Sequence, residues 1–204
     1  DKAYDNVEWV WGYRETDRLG GKDPYSASKG MAELVIRTYV ESFFNSSDSN
    51  VRVGITRAGN VIGGGDWAVD RIVPDCMYAW SLSQIVDIRS PQSTRPWQHV
   101  LEPLSGYLTF AQQLHSNQNL HGEAFNFGPS NDQNYPVSEL ITEMSKHWKN
   151  IDWIDDSDAS HNLHEAGLLK LNLSLIHISE PTRRTPISYA VFCLKKKNFF
   201  NDTA

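Results

Sequence analysis

Tyr25 and Lys29 stand four positions apart, so a helix over them carries a phenol and an ammonium on one face, one turn from each other. A phenol titrates at about 10, and a cation close by favours the phenolate, moving it toward the range in which a general base works. Tyr25 could then take a proton from a hydroxyl. Taken alone, the pair is a weak signal, because two common residues at this spacing also describe a solvated helix face.

The elements that must hold these groups follow from the pattern of the chain. Asp23-Pro24 reads as an N-cap followed by proline at the first helical position, opening a helix over 24–44. Ala32, Val35, Ile36, Tyr39, Val40 and Phe43 fall at helical spacing, an apolar stripe that a core must cover. The polar, serine-rich residues 45–50 break it. A β-branched run over 51–57 reads as a strand leading into a loop with Gly59, Asn60, Gly63, Gly64 and Gly65. These glycines lack the Gly-Lys-Ser/Thr ending of a phosphate loop and read as a tight turn.

Helices are expected over 72–82, over 103–114 with Leu104, Leu108 and Ala111 at helical spacing, and over 137–148 with Val137, Leu140, Ile141 and Met144 on one face. Strands are expected over 85–89, 124–129 and 151–154. The alternation predicts an α/β fold built on a parallel sheet. No fixed-period repeat or heptad seam is present, which removes solenoids and coiled coils.

The chain has 204 residues and 40% hydrophobic content, enough to bury a core. With 19 basic and 25 acidic side chains, a net charge of −6, it has no global basic field for nucleic acid or an anionic membrane. No apolar run approaches the roughly 20 residues of a membrane-spanning helix. The start, Asp1-Lys2-Ala3-Tyr4, is neither a signal peptide nor an initiator methionine and reads as a cut end. Cys76 and Cys193 form neither a disulfide framework nor a zinc spacing, so a reducing, cytoplasmic setting is expected, with Cys76 in the core. His161 and His164 lack a carboxylate or cysteine partner at ligand spacing, and no metal is expected.

The composition shifts near 173, where the remaining chain carries five basic and two acidic residues against the acidic excess before it. The blocks 173–183 and 187–194, followed by three lysines, resemble a translated DNA-sequencing adaptor, so 173–204 is expected to be a non-native tail.

Asp-Pro-Tyr-Ser-Ala-Ser-Lys at 23–29 resembles the active-site segment of the extended short-chain dehydrogenase/reductases. The segments Asp1-Lys2-Ala3-Tyr4-Asp5-Asn6 and Glu8-Trp9-Val10-Trp11-Gly12-Tyr13-Arg14-Glu15 are similar to the nucleotide-sugar 4,6-dehydratases of that group, most of all to the branch acting on CDP-glucose. The similarity continues through the blocks 57–67 and 95–107 and covers essentially 1–172.

That resemblance implies an incomplete Rossmann-type parallel sheet, with Rossmann segments over about 1–60 and 103–130 and a smaller substrate subdomain over 61–102 and 131–172. It implies NAD as cofactor, with Tyr25 and Lys29 also holding its nicotinamide ribose. Tyr25 would deprotonate the sugar 4-hydroxyl as hydride leaves C4. Lys2 would take the C5 proton, which needs a neutral amine, a form that a neighbouring cation and burial favour. Asp1 would protonate the departing C6 hydroxyl. Asn60 and Arg95, with Arg71 and His99 beside them, would hold the substrate, arginine because its planar fork matches phosphate. CDP-glucose is the implied substrate and a dimer or tetramer the implied assembly. A dehydratase or epimerase of another nucleotide sugar and a non-catalytic nucleotide-sugar-binding module are the alternatives. The family begins with a strand, a glycine-rich turn and a helix that receives the NAD pyrophosphate, and no such segment is read here. The 204 residues by themselves are therefore expected neither to bind NAD nor to turn over substrate.

Overall fold

The computed structural model describes residues 2–130, 133–148, 152–157 and 166–175. Asp1, His161, His164, Cys193 and all of the adaptor-like tail beyond Leu175 lie outside them. Among the described residues four α-helices and eight short strands alternate: α1 Pro24–Tyr39, β1 Ile55–Ala58, β2 Val61–Ile62, α2 Ile72–Ser81, β3 Val86–Ile88, β4 Thr94–Arg95, β5 Gln98–His99, α3 Leu101–Ser116, β6 Ala124–Phe127, β7 Tyr135–Pro136, α4 Val137–Ser145 and β8 Trp153–Asp155. The expected α/β alternation is present. Strands β1 and β6 pair in parallel, Ile55 opposite Ala124, as do β2 with β5 and β3 with β8, while β4 and β7 are antiparallel.

Helix α1 opens as its sequence dictates. The Asp23 carboxylate accepts from the Ser26 amide at 3.0 Å and from its hydroxyl at 2.6 Å, and Pro24 fills the first turn, where no backbone donor is needed. The helix runs into a wider turn over Val40–Phe44, closed by the Asn45 amide on the Val40 carbonyl at 3.0 Å. Its buried face differs from the expectation. Of the apolar stripe only Val40 is buried and Ile36 half-buried, while Val35, Tyr39 and Phe43 are exposed. Ser26, Gly30 and Glu33 are the buried side of α1. Gly30 meets the loop at Gly20 so closely that a Cβ would lie 2.9 Å from the Gly20 amide nitrogen. On α3 likewise Leu104, Leu108 and Ala111 are exposed, and Pro103 and Phe110 are buried.

The strand expected over 51–57 begins only at Ile55, because the Val53 amide donates to His121 Nδ1 at 3.0 Å rather than to a neighbouring strand. Helix α4 stops at Ser145, short of 148, in turns that return the His147 and Trp148 amides to Met144 and Ser145.

Among the described residues three apolar clusters form the core. Cys76, Trp80, Val86, Ile88, Trp97, Val137, Ile141 and Met144 form the first, between α2, β3 and α4. Phe110, Leu120, Phe125 and Phe127 form the second, beneath β1 and β6. Tyr4, Tyr13, Leu169, Leu171 and Leu173 form the third, so the first residue of the suspected tail is packed. Among the described residues no helix is long and apolar enough to cross a membrane.

Candidate active site

Tyr25 and Lys29 occupy the first turns of α1, and the Lys29 ammonium lies 5.4 Å from the centre of the Tyr25 ring. The Lys2 ammonium reaches the same ring from another segment, 5.9 Å from its centre. The Lys2 amine, distant in sequence, thus joins the phenol of Tyr25 and the amine of Lys29. They line one side of a cleft of about 480 Å³ that runs along β1 from Gly54 to Gly59, with Glu33 and Arg57 on its wall. The Tyr25 ring is 56% exposed and therefore open to a ligand.

Asn60 follows Gly59 at the end of that cleft. Its carbonyl accepts from the Gln98 amide at 3.0 Å, and β2 and β5 continue this pairing, which sets His99 opposite Ile62. Gly59 is required at this crossing, since a Cβ would lie 2.7 Å from Pro96 Cγ and 2.9 Å from the Pro96 carbonyl oxygen. Two polar atoms on these abutting segments, Asn60 Oδ1 and Trp97 Nε1, are buried without a hydrogen-bond partner. Buried polar groups are normally satisfied, so Asn60 Oδ1 keeps acceptor capacity and Trp97 Nε1 donor capacity at this crossing. Arg95, in β4, is buried and gives Nη1 to the Thr94 carbonyl at 2.8 Å. His99 accepts from the Leu101 amide through Nδ1 at 3.3 Å. Arg71 caps α2 from an exposed position. The chain therefore brings Asn60, Arg95 and His99 to the Gly59–Pro96 crossing, with Arg71 at the start of a separate helix.

One group of residues behind the cleft escapes sequence reasoning. Arg57, 3% exposed, donates Nε to both Glu33 carboxylate oxygens at 2.8 and 3.1 Å and Nη2 to Glu33 Oε2 at 2.5 Å. Its Nη1 donates to the Tyr4 hydroxyl at 2.7 Å and to the Glu15 carbonyl at 3.0 Å. Tyr4 in turn donates to Asn126 Oδ1 at 2.6 Å, and the Asn126 amide donates to the Tyr13 and Asn172 carbonyls at 2.9 and 3.1 Å. Burial alone would weaken the Arg57 charge, but Glu33 and Tyr4 outweigh it and hold the guanidinium above its ordinary value. Burial pushes the Tyr4 phenol up to about 12, against the pull of Arg57. The available signal was the period of β1: Ile55 and Arg57 alternate on one buried face, and a buried arginine demands a carboxylate.

Among the described residues no group of three or more histidine, cysteine or acidic side chains could hold a metal ion. No family model matches the chain. It is 48% identical over 178 residues to CDP-glucose 4,6-dehydratase of Salmonella typhimurium, an alignment covering 85% of this chain and 49% of that protein. Among solved structures it resembles dTDP-glucose 4,6-dehydratase from Bacillus anthracis in complex with NAD, at 15% identity and a TM-score of 0.70 over 96% of this chain and 60% of that one. It also resembles UDP-glucuronic acid 4-epimerase from Bacillus cereus in complex with UDP-glucuronic acid and NAD, at 15% identity and a TM-score of 0.73 over 95% and 59%. The fold is the Rossmann-type fold of the nucleotide-sugar dehydratases and epimerases. The resemblance read from the motifs at 1–6, 8–15 and 23–29 is thereby borne out. The chain spans about half the length of the curated relative it matches, 49%.

Proposed function

We propose that these residues form the substrate-facing and acid–base half of an NAD-dependent CDP-glucose 4,6-dehydratase, a cytoplasmic hydro-lyase that converts CDP-glucose to CDP-4-dehydro-6-deoxyglucose and water in deoxysugar and lipopolysaccharide biosynthesis. The observation that carries the reading is the convergence of two amines on one phenol, Lys2 and Lys29 at 5.9 and 5.4 Å from the Tyr25 ring, beside an open cleft. A module that only binds a sugar has no use for such a cluster, and the 48% identity to the Salmonella protein supports the same assignment.

The residues fit the cofactor where it can be tested. Tyr25 and Lys29 open together onto the cleft, an acceptor–donor phenol and a triple donor suited to the vicinal hydroxyls of a ribose. NAD held there would supply a hydride acceptor for the sugar and, once reduced, the donor that gives the hydride back. The work of the chain itself is proton transfer. Tyr25 takes the proton of the 4-hydroxyl, with the Lys29 ammonium beside its ring. The resulting 4-ketone acidifies C5, and Lys2 removes the C5 proton. Asp1 gives a proton to the C6 hydroxyl as it departs. Asn60 and Arg95, with His99 and Arg71, hold the pyrophosphate and sugar; the unsatisfied Asn60 Oδ1, an acceptor, suits a sugar hydroxyl.

Two further readings belong to this proposal. The cluster drawn from 62–97 and 135–153, separate from the one beneath β1 and β6, supports a substrate subdomain over 61–102 and 131–172 against Rossmann segments over 1–60 and 103–130. The exposed Met31, Leu34 and Val35 on α1 support association of two copies through that helix.

The test is turnover by this chain joined to the part of the Salmonella relative that it does not cover, offered CDP-, dTDP-, UDP- and GDP-sugars. Dehydration of CDP-glucose ahead of the others is expected. Preference for another nucleotide would transfer the reading to a different dehydratase or epimerase, and binding without turnover would make the fragment a binding module.

A further inference from the structure

We infer that Arg57 is a positioning residue for the reaction, a group through which the segment bearing Lys2 and the helix bearing Tyr25 and Lys29 are held in register; the inference rests on the function proposed above.

A buried ion pair is weak evidence for stability, because apolar residues of the same volume often serve as well. In this chain the contrast is sharp: Met31, Leu34 and Val35 of α1 face out while Glu33 faces in, so apolar side chains were at hand and the buried place went to a carboxylate. What an ion pair of this shape adds is orientation. Arg57 engages Glu33 through Nε and Nη2, a fork on a carboxylate that fixes both distance and angle. Glu33 is one turn beyond Lys29 and two beyond Tyr25, and four residues of α-helix advance about 40° past a full turn. Fixing Glu33 about the helix axis therefore fixes the direction in which Tyr25 and Lys29 point.

The other arm of the guanidinium governs Lys2. Nη1 donates to the Tyr4 hydroxyl, and Tyr4 is two residues from Lys2. Tyr4 cannot shift without breaking its bond to Asn126 in β6 and its stack on Tyr13, ring centres 5.2 Å apart. The segment is further tied by the Gly20 amide on the Ala3 carbonyl at 2.8 Å and the Asp5 amide on the Arg18 carbonyl at 2.9 Å. Four of the five guanidinium N–H groups are thus committed, two toward α1, one toward Tyr4 and one toward the Glu15 carbonyl. A lysine at 57 keeps the charge and has no fork, so it cannot serve both arms in that geometry.

The experiment compares Tyr4→Phe, which removes one arm and keeps the ring, Arg57→Lys, which keeps the charge, and Ile141→Val, a destabilising change in the remote cluster of α4. In the joined chain described above, kcat for CDP-glucose at equal folded fraction is expected to fall about 10²-fold in Arg57→Lys and about tenfold in Tyr4→Phe, the scale of a misplacement near 1 Å, with KM unchanged. Ile141→Val should leave both constants as they are. Loss of kcat only in proportion to unfolded protein, or a rise in KM alone, would overturn the inference. A second arm needs no turnover: amide exchange of Asp5 and Gly20 in the 204-residue chain should quicken in Tyr4→Phe and stay as in the wild type in Ile141→Val. If no nucleotide sugar is turned over by the wild type, the proposed function falls, and exchange alone decides; unchanged Asp5 and Gly20 exchange in Tyr4→Phe overturns the positioning role.

Discussion

The Lys2 ammonium lies 5.9 Å from the centre of the Tyr25 ring, although a loop and a helix start intervene between them in the chain. An amine and a phenol are thereby set on the same side of one cleft, the arrangement that the proposed dehydration needs for its bases at C5 and at the 4-hydroxyl.

Replacing Lys2 with methionine keeps the length of the side chain and removes the amine. In the joined chain, dehydration of CDP-glucose is expected to drop about 10²- to 10⁴-fold, the usual share of a general base, and deuterium from solvent should no longer enter at C5. Mass spectrometry of recovered substrate and product reads the second effect. Normal C5 exchange in the variant would assign that proton to another residue.

The start of α1 carries its own pH signature. Hydrogen bonds from the Ser26 hydroxyl and amide hold the Asp23 carboxyl below its ordinary value. A depressed group stabilises the fold above the unfolded value of about 4 and ceases to do so as pH falls through the folded one. Asp23→Ala should cost about 1 kcal/mol near neutrality in urea unfolding, and the gap to wild type should close below about pH 4. A gap that persists in acid would mean that the cap acts without its charge.

At the alkaline end the sign reverses. Burial pushes Tyr4 up to about 12 from 10.0, and Cys76 up to about 12 from 9.0. Both hold their protons more tightly folded than unfolded, so the stability they lend is whole below about pH 9 and is lost as pH climbs toward 12. Tyr4→Phe should make the fall in urea midpoint between about pH 10 and 12 shallower. An identical slope in the variant would remove Tyr4 from the account.

Much of the fold was legible because it is local. The Asp23-Pro24 start of α1, the alternation of helix and strand, and the apolar face of α4 at Val137, Ile141 and Met144 all lie within a few residues of the sequence that specifies them. The side on which α1 is buried was not legible, since it depends on Glu33 meeting Arg57 from a different element. Periodicity alone points to Val35 and Tyr39, which are exposed. The two-residue strands β2, β4, β5 and β7 carry too little pattern to be read and exist only through pairing. Of the site, the Tyr25–Lys29 spacing was visible as helix geometry, whereas the approach of Lys2 and the Arg57–Tyr4–Asn126 chain arise from folding.

The exposed side of α1 offers a test of assembly. Leu34→Glu and Val35→Glu place charges on a face that is solvent-exposed in the single chain, so the monomer should retain its stability while association weakens. Sedimentation equilibrium of the joined chain should shift toward monomer in both variants. An unaltered assembly would put the contact elsewhere.

The central claim is that the Tyr25 phenol is the base that opens the reaction. Tyr25→Phe removes one oxygen from a ring that is 56% exposed and should leave thermal stability unchanged. Measured in the joined chain with saturating CDP-glucose, the rate of water loss is expected to fall about 10²- to 10⁴-fold. An undiminished rate would contradict the account.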